Sequence, residues 1–163
     1  MVCGLPGTGK TYISRRLAER LGIEHLSSDA IRKQVIRNRT YSEDEKQQVY
    51  SVMAEKARNL LQSGKSVIVD ATFYQEKYRN MFLDIAKSSN IQAAIIECIL
   101  EEHIIRKRME QRRTENNDSE ADFAVYETLR GKFEHIQQNH LLLDMSLPEA
   151  QILDLAADYI GDA

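Results

Sequence analysis

Apolar positions along the chain switch between short unbroken runs and longer stretches with one apolar face, the pattern of strands interleaved with helices. Met1-Val2-Cys3 reads as the end of a buried strand. From Thr11 to Leu21, Ile13, Leu17 and Leu21 share one helical face, and Gly22 suits a helix C-cap. Glu24 to Ser27 reads as a short strand, and a helix over Asp29 to about Ile36 follows it. Ser42-Glu43-Asp44-Glu45 has the spacing of a capping box, with Val49, Val52, Met53, Ala57, Leu60 and Leu61 as the apolar face behind it and Gly64 as the stop. Val67-Ile68-Val69-Asp70 is a buried strand with a polar tip. Gln75 to Ser88 is predicted helical, and the long apolar run from Ala93 to Ile99 is predicted to be a strand. A strongly charged helix is expected over Glu101 to Arg113. After a polar break at Thr114 to Asp118, a helix restarts at Ser119, with Phe123, Tyr126, Leu129, Phe133 and Ile136 inward. Leu141-Leu142-Leu143-Asp144 reads as the last strand. Ser146-Leu147-Pro148-Glu149 reads as a second capping box, with Ile152, Leu155, Ala156, Tyr159 and Ile160 turned to the core.

This alternation predicts an α/β fold, a parallel sheet with helices on both faces. Ligands in such sheets bind at the carboxyl ends of the strands. The segments expected to converge there are the one after Cys3, Ser28-Asp29, Asp70-Ala71-Thr72 and the stretch after Leu100.

The first of these segments carries the most specific chemistry. Gly4-Leu5-Pro6-Gly7-Thr8-Gly9-Lys10-Thr11 has every fixed position of the G-x-x-x-x-G-K-[ST] phosphate loop, between a predicted strand and a predicted helix. Glycines let successive backbone N–H groups turn inward on an anion, and the following helix aims its positive end at the same place. The loop residues Gly4, Pro6, Gly7, Thr8, Gly9, Lys10, Thr11 and Tyr12 are therefore the expected nucleotide contacts. Lys10 would reach the β and γ phosphates, and the Thr11 hydroxyl would ligate Mg²⁺. Only three residues precede Gly4, fewer than the five or so a strand commonly uses. The first strand is expected to be short or to begin upstream.

Bulk properties narrow the setting. The 163 residues suit one domain with a real core, and 42% hydrophobic with 29% charged residues is a globular composition. A formal net charge of −3 demands no nucleic-acid partner, although a local basic patch would permit one. No run is apolar enough to span a membrane, and no signal peptide precedes the loop. Cys3 and Cys98 each fall in a predicted strand, and read as small core residues in a reducing cytoplasm rather than as a disulfide. The four histidines show no metal-binding spacing and read as ordinary structural or surface residues.

Beyond the loop, Ser28-Asp29-Ala30-Ile31-Arg32 places a carboxylate and a guanidinium three apart at a helix start, where they would share a face. Asp29 could accept a proton from an attacking hydroxyl, and Arg32 could hold an anionic acceptor. Asp29 read blandly is only a helix N-cap. Asp70, at the tip of an apolar strand, is placed to hold Mg²⁺ directly or through water; read blandly it is a turn residue. Which of Asp29 and Asp70 is the base stays open at this level. Thr72 and Arg79 are further expected acceptor contacts. The run Arg106-Lys107-Arg108-Met109-Glu110-Gln111-Arg112-Arg113 is either a solvated helix face or a lid whose arginines fold over the phosphates. Acidic interruptions and missing aromatics argue against a nucleic-acid patch.

Taken together, the phosphate loop, Ser28-Asp29-x-x-Arg32, Val-Ile-Val-Asp70-Ala-Thr72 and the Arg-rich segment ending in Ser119-Glu120-Ala121-Asp122 resemble the small P-loop kinases of the AAA_33, zeta-toxin-like and polynucleotide-kinase-like group. The resemblance spans nearly the whole chain. It implies a parallel sheet of order 2-3-1-4-5, with Cys3 and Cys98 as near neighbours across strands one and four, and a single kinase domain over residues 1–163 with a lid at about 101–120. It implies ATP and Mg²⁺ as cofactors, Lys10 and Thr11 on phosphate and metal, and Asp29 as general base. Arg32 would lie on the acceptor, with Arg112 or Arg113 as the lid arginine. The expected activity is transfer of the γ-phosphoryl group of ATP to a hydroxyl of a small molecule or a nucleic-acid 5′ end. The alternatives are a nucleotide-binding switch without an acceptor and a toxin-like kinase acting on a nucleotide sugar.

Overall fold

The computed structural model describes residues 1–37, 42–114 and 123–162, with residues 112–114 described at the backbone only. Among the described residues, five strands run parallel in one sheet of order β2-β3-β1-β4-β5, the order the resemblance implies. The strands are β1 (Val2–Cys3), β2 (Glu24–Ser27), β3 (Val67–Asp70), β4 (Ile96–Ile99) and β5 (Leu141–Asp144). The helices are α1 (Lys10–Leu21), α2 (Ser28–Val35), α3 (Glu43–Gln62), α4 (Glu76–Ser88), α5 (Glu102–Thr114), α6 (Phe123–Arg130) and α7 (Glu149–Gly161).

Residues adjacent along a strand point to opposite faces, and the central strands β1 and β3 divide their side chains between two cores. Val2, Ile68, Ile96, Cys98 and Leu143 pack beneath α1 and α7 with Ile13, Leu17, Ile152 and Ala156. Cys3, Val69 and Ile95 pack on the other face against Val49, Met53 and Ala57 of α3 and Tyr78, Phe82 and Ile85 of α4. Cys3 pairs in register with Glu97, so Cys98 is one step further on and in the opposite core. The two thiols are neighbours across strands without facing each other. Burial pushes both up to about 12, which keeps them as inert thiols.

Several boundaries differ from the sequence pattern for identifiable reasons. The apolar run from Ala93 contributes a strand only from Ile96, because the register of β4 against β1 begins at Val2 opposite Ile96. The helix expected to restart at Ser119, whose start lies outside the described residues, stops at Arg130, and Phe133 and Ile136 reach the core from non-helical backbone. There, Glu134 N–H donates to Tyr74 O at 2.8 Å, a bond a continued helix would have spent internally. The capping box expected at Ser146 does not form. Ser146 N–H instead donates to Asp144 Oδ1 at 2.9 Å, and α7 starts only after Pro148. Leu155, expected inward, is exposed. The capping box at Ser42 does form in its backbone half: Ser42 Oγ accepts from Glu45 N–H at 3.2 Å.

Candidate phosphate-binding and catalytic site

The loop between β1 and α1 lies at the carboxyl end of the central strand, where strand order reverses, the point whose crevice binds ligands in open parallel sheets. Gly7 has φ +83°, and a Cβ there would meet Ile105 Cγ2 and Met109 Cε at 2.9 Å. Gly9 has φ +97°; a Cβ there would lie 3.3 Å from Met145 Cε and 3.7 Å from Arg108 Nη1. Glycine is therefore required both for backbone conformation and for space. Thr8 is buried and braces the loop, its hydroxyl donating to Leu5 O at 2.9 Å. Lys10 is the first residue of α1 and half-buried.

Beneath α1, Thr11 Oγ1 donates to Asp70 Oδ1 at 2.8 Å. A hydroxyl that gives its proton to a carboxylate keeps its oxygen lone pairs for a cation. Among the described residues no group of three or more His, Cys, Asp or Glu side chains could hold a metal. This donor set fits Mg²⁺, which takes one or two protein oxygens and fills its octahedron with phosphate oxygens and water. It does not fit a structural zinc or calcium cage. Tyr12 is exposed, and its hydroxyl is hydrogen-bonded to Glu149 at the start of α7. That bond raises the phenol above its ordinary range and, with Arg16, lowers Glu149.

Two side chains on α2 face the same end of the sheet. Asp29 is exposed in the first turn of α2. The guanidinium of Arg32 is mostly buried and meets the buried carboxylate of Glu45 at 2.7 Å. The residues after β3 form the wall between these groups and the loop. Thr72 is half-buried, and its carbonyl accepts from Gly4 N–H at 3.3 Å. Phe73 adopts φ +49°, a left-handed conformation rare for a bulky residue. Its N–H donates to Tyr50 Oη at 3.1 Å, and its carbonyl accepts from Arg79 Nη1 at 2.7 Å.

That last bond corrects the reading of Arg79 as an acceptor contact. Arg79 is fully buried, and its second amino group donates to His135 O at 3.1 Å. It locks the turn after β3 to the segment after α6, and no substrate reaches a guanidinium so enclosed.

Helix α5 crosses the loop. Ile105 and Met109 form a small core with Tyr126, Leu5 and Phe123, which seats the charged helix directly on the phosphate loop. Arg106 turns away: its guanidinium carbon lies 3.7 Å from the Phe123 ring centre, and it pairs with Glu102 at 3.4 Å. Among the described residues, Arg108 is the arginine turned to Gly9. The side chains of Arg112 and Arg113, expected to supply the lid arginine, lie outside the described residues. Nothing in the charge run singled out Arg108 over its neighbours; the signal was its spacing of three from Ile105.

Sequence reading also passed over His25. Its Nε2 hydrogen-bonds Asp70 Oδ2, although His25 is 45 residues away in the chain. Only the β2–β3 register, which pairs Ser27 with Asp70, brings the two together.

Comparisons with known proteins agree with this architecture. The model of the AAA_33 family, described as an AAA domain, matches residues 1–136. The uncharacterized protein Rv2004c of Mycobacterium tuberculosis (strain H37Rv) is 29% identical over 137 residues, which cover 77% of this chain and 28% of the relative. The uncharacterized protein Mb2027c of Mycobacterium bovis matches to the same extent, so the chain spans just over a quarter of the curated relatives it matches. Among solved structures, the Mycobacterium tuberculosis APS kinase CysC in complex with AMPPNP and APS superposes with a TM-score of 0.77 at 15% identity, covering 98% of this chain and 95% of that one. Chaetomium thermophilum Kti12 in complex with ADP-AlF3 gives 0.76 at 20% identity, covering 99% and 96%. A gluconokinase from Sinorhizobium meliloti 1021 gives 0.73 at 18% identity, covering 99% and 90%. The fold is that of P-loop NTPase kinases. Among the described residues, no helix is long and apolar enough to cross a membrane.

Proposed function

This chain belongs to the AAA_33 family, and we propose that it is an ATP-dependent kinase that moves the γ-phosphoryl group to an alcohol. The observation that carries the reading is the bond from Thr11 to Asp70. It joins the phosphate loop to the β3 carboxylate under a glycine cradle, with Asp29 standing exposed across the crevice. Each residue then has a task. The N–H groups of Gly7 and Gly9 and those at the start of α1 hold the phosphates, and Lys10 contacts the β and γ groups. Thr11, with Asp70 behind it, holds Mg²⁺, which when bound neutralises charge on the β and γ oxygens. Asp29 accepts the proton of the attacking hydroxyl as its oxygen bonds to the γ phosphorus and the bond to the ADP oxygen breaks. Arg108, together with Arg112 or Arg113, neutralises the transferring group.

Assigned this way, Asp29 is the base and Asp70 belongs to the metal. Asp70 is buried with an oxygen already taken by Thr11, whereas Asp29 is open to an incoming hydroxyl. Arg32 and Thr72 line the acceptor side. The acceptor is a small molecule or a nucleic-acid 5′ end. Residues 1–163 act as one kinase domain with α5 in its lid; the part of the expected lid at about 115–120 lies outside the described residues. Two unpaired buried thiols suit a reducing cytoplasm.

Incubation with γ-labelled ATP and Mg²⁺ against nucleosides, 5′-hydroxyl oligonucleotides, sugars and nucleotide sugars tests the reading, with Lys10→Ala as blank. A labelled acceptor absent from the blank is the expected result. Label released only as free phosphate would replace it with a nucleotide switch.

A further inference from the structure

His25 lies opposite Ile68 in the β2–β3 register, and Asp70 is two residues further along β3. Residues two apart on a strand share a face. The imidazole and the carboxylate therefore emerge on the same side of the sheet, below the first turn of α1. Asp70 is 1% exposed and the His25 side chain 16%. The carboxylate is gripped from two elements at once: Thr11 Oγ1 of α1 donates to Oδ1, and His25 Nε2 of β2 hydrogen-bonds Oδ2. With one partner on each oxygen, the carboxylate plane cannot turn without breaking a bond. Its remaining lone pairs stay available.

We propose that His25 is the positioning residue of the metal site. It holds Asp70 in the one orientation that keeps the Thr11 hydroxyl proton pointed at Oδ1 and the Thr11 lone pairs pointed at Mg²⁺. The role rests on the nucleotide and metal reading above. Outer partners of this kind commonly contribute 10–100-fold to metal affinity. A histidine that merely compensated a buried charge would affect folding without favouring the metal.

Mn²⁺ binding in the presence of ADP, followed by the electron paramagnetic resonance of free Mn²⁺, separates the two roles. His25→Leu removes the donor, and His25→Asn keeps polarity but falls short of Asp70. Each should weaken Mn²⁺ binding by ~10–100-fold while metal-free ADP binding stays at the wild-type value. His25→Gln, whose amide nitrogen reaches about as far as Nε2, should return most of the affinity. Thermal unfolding followed alongside identifies a variant that fails to fold, and either Leu or Asn suffices. Unchanged Mn²⁺ binding in the folded variant overturns the role of His25 alone. So does a parallel loss of metal-free ADP binding, which would place the damage in the loop. A wild-type protein that binds no Mn²⁺ with ADP overturns the metal reading and this role together.

Discussion

Between Gly4 and Thr11, one uninterrupted stretch of chain builds the half of the site proposed to bind phosphate. The opposite half is assembled from Asp29 and Arg32 on α2, Glu45 on α3 and the turn after β3. The first half works through backbone: positive φ at Gly7 and Gly9 and the start of α1. The second works through side chains that meet only after folding, such as Arg32 with Glu45, thirteen residues apart. Local backbone geometry leaves a fixed spacing in the sequence, and side-chain meetings across elements do not. One half can therefore be recognised at sight while the other has to be measured.

Arg108 offers the sharpest way to break that contrast, because it lies against the recognisable half from a distant helix without being marked by any motif. It faces Gly9, while Arg106 is stacked on Phe123. Arg108→Ala should lower kcat by ~10³–10⁵, the range for an arginine that neutralises a transferring phosphoryl group. Arg106→Ala should leave kcat near the wild-type value. Equal effects would mean that α5 acts through its overall charge and not through one aimed side chain.

Asp29 probes the other half. Its side chain is exposed, so Asp29→Ala should leave the thermal transition in place. If it takes the proton of the acceptor hydroxyl, steady-state turnover should fall by ~10²–10⁴ with the KM for ATP unchanged. Unchanged turnover in a folded Asp29→Ala protein would remove the base from α2.

What the sequence disclosed follows the same division. The alternation of strands and helices, the helices on both faces of the sheet, the loop and the start of α3 follow from periodicity and short motifs, whose causes lie within about ten residues of chain, whereas the strand order comes only with the resemblance to the P-loop kinases. The end of α6, the true length of β4, the fate of Ser146 and the partners of His25 and Arg79 depend on contacts across the sheet. Arg79 shows the cost of reading spacing alone. An arginine on the helix after a strand tip has the address of a substrate contact, but Tyr78 and Phe82 draw that face of α4 inward and take the guanidinium with them. Arg79→Met should therefore destabilise the fold by about 2–4 kcal/mol, since the carbonyls of Phe73 and His135 each lose a buried donor. Urea unfolding measures it. A raised KM for the acceptor with unaltered stability would restore Arg79 to the acceptor side.

Ser42 tests the weakest link within the second half. Its hydroxyl caps α3 by accepting from Glu45 N–H, and the Glu45 side chain in turn reaches Arg32. The cap thus fixes the first turn of the helix whose Glu45 carboxylate meets Arg32, on the proposed acceptor side. Ser42→Ala should cost about 1 kcal/mol in urea unfolding, the usual value of such a cap. If the cap serves stability alone, turnover of the folded variant at saturating acceptor and its acceptor KM should both match wild type. If the cap also aims Glu45, the acceptor KM should rise while the KM for ATP holds, because no phosphate-loop residue takes part in the bond. Ser42→Asp separates these outcomes, since aspartate caps a helix as well as serine does. Recovery of both stability and acceptor KM would tie the geometry of the acceptor side to the first turn of α3. Recovery of stability alone would mean that the Ser42 hydroxyl itself touches the acceptor.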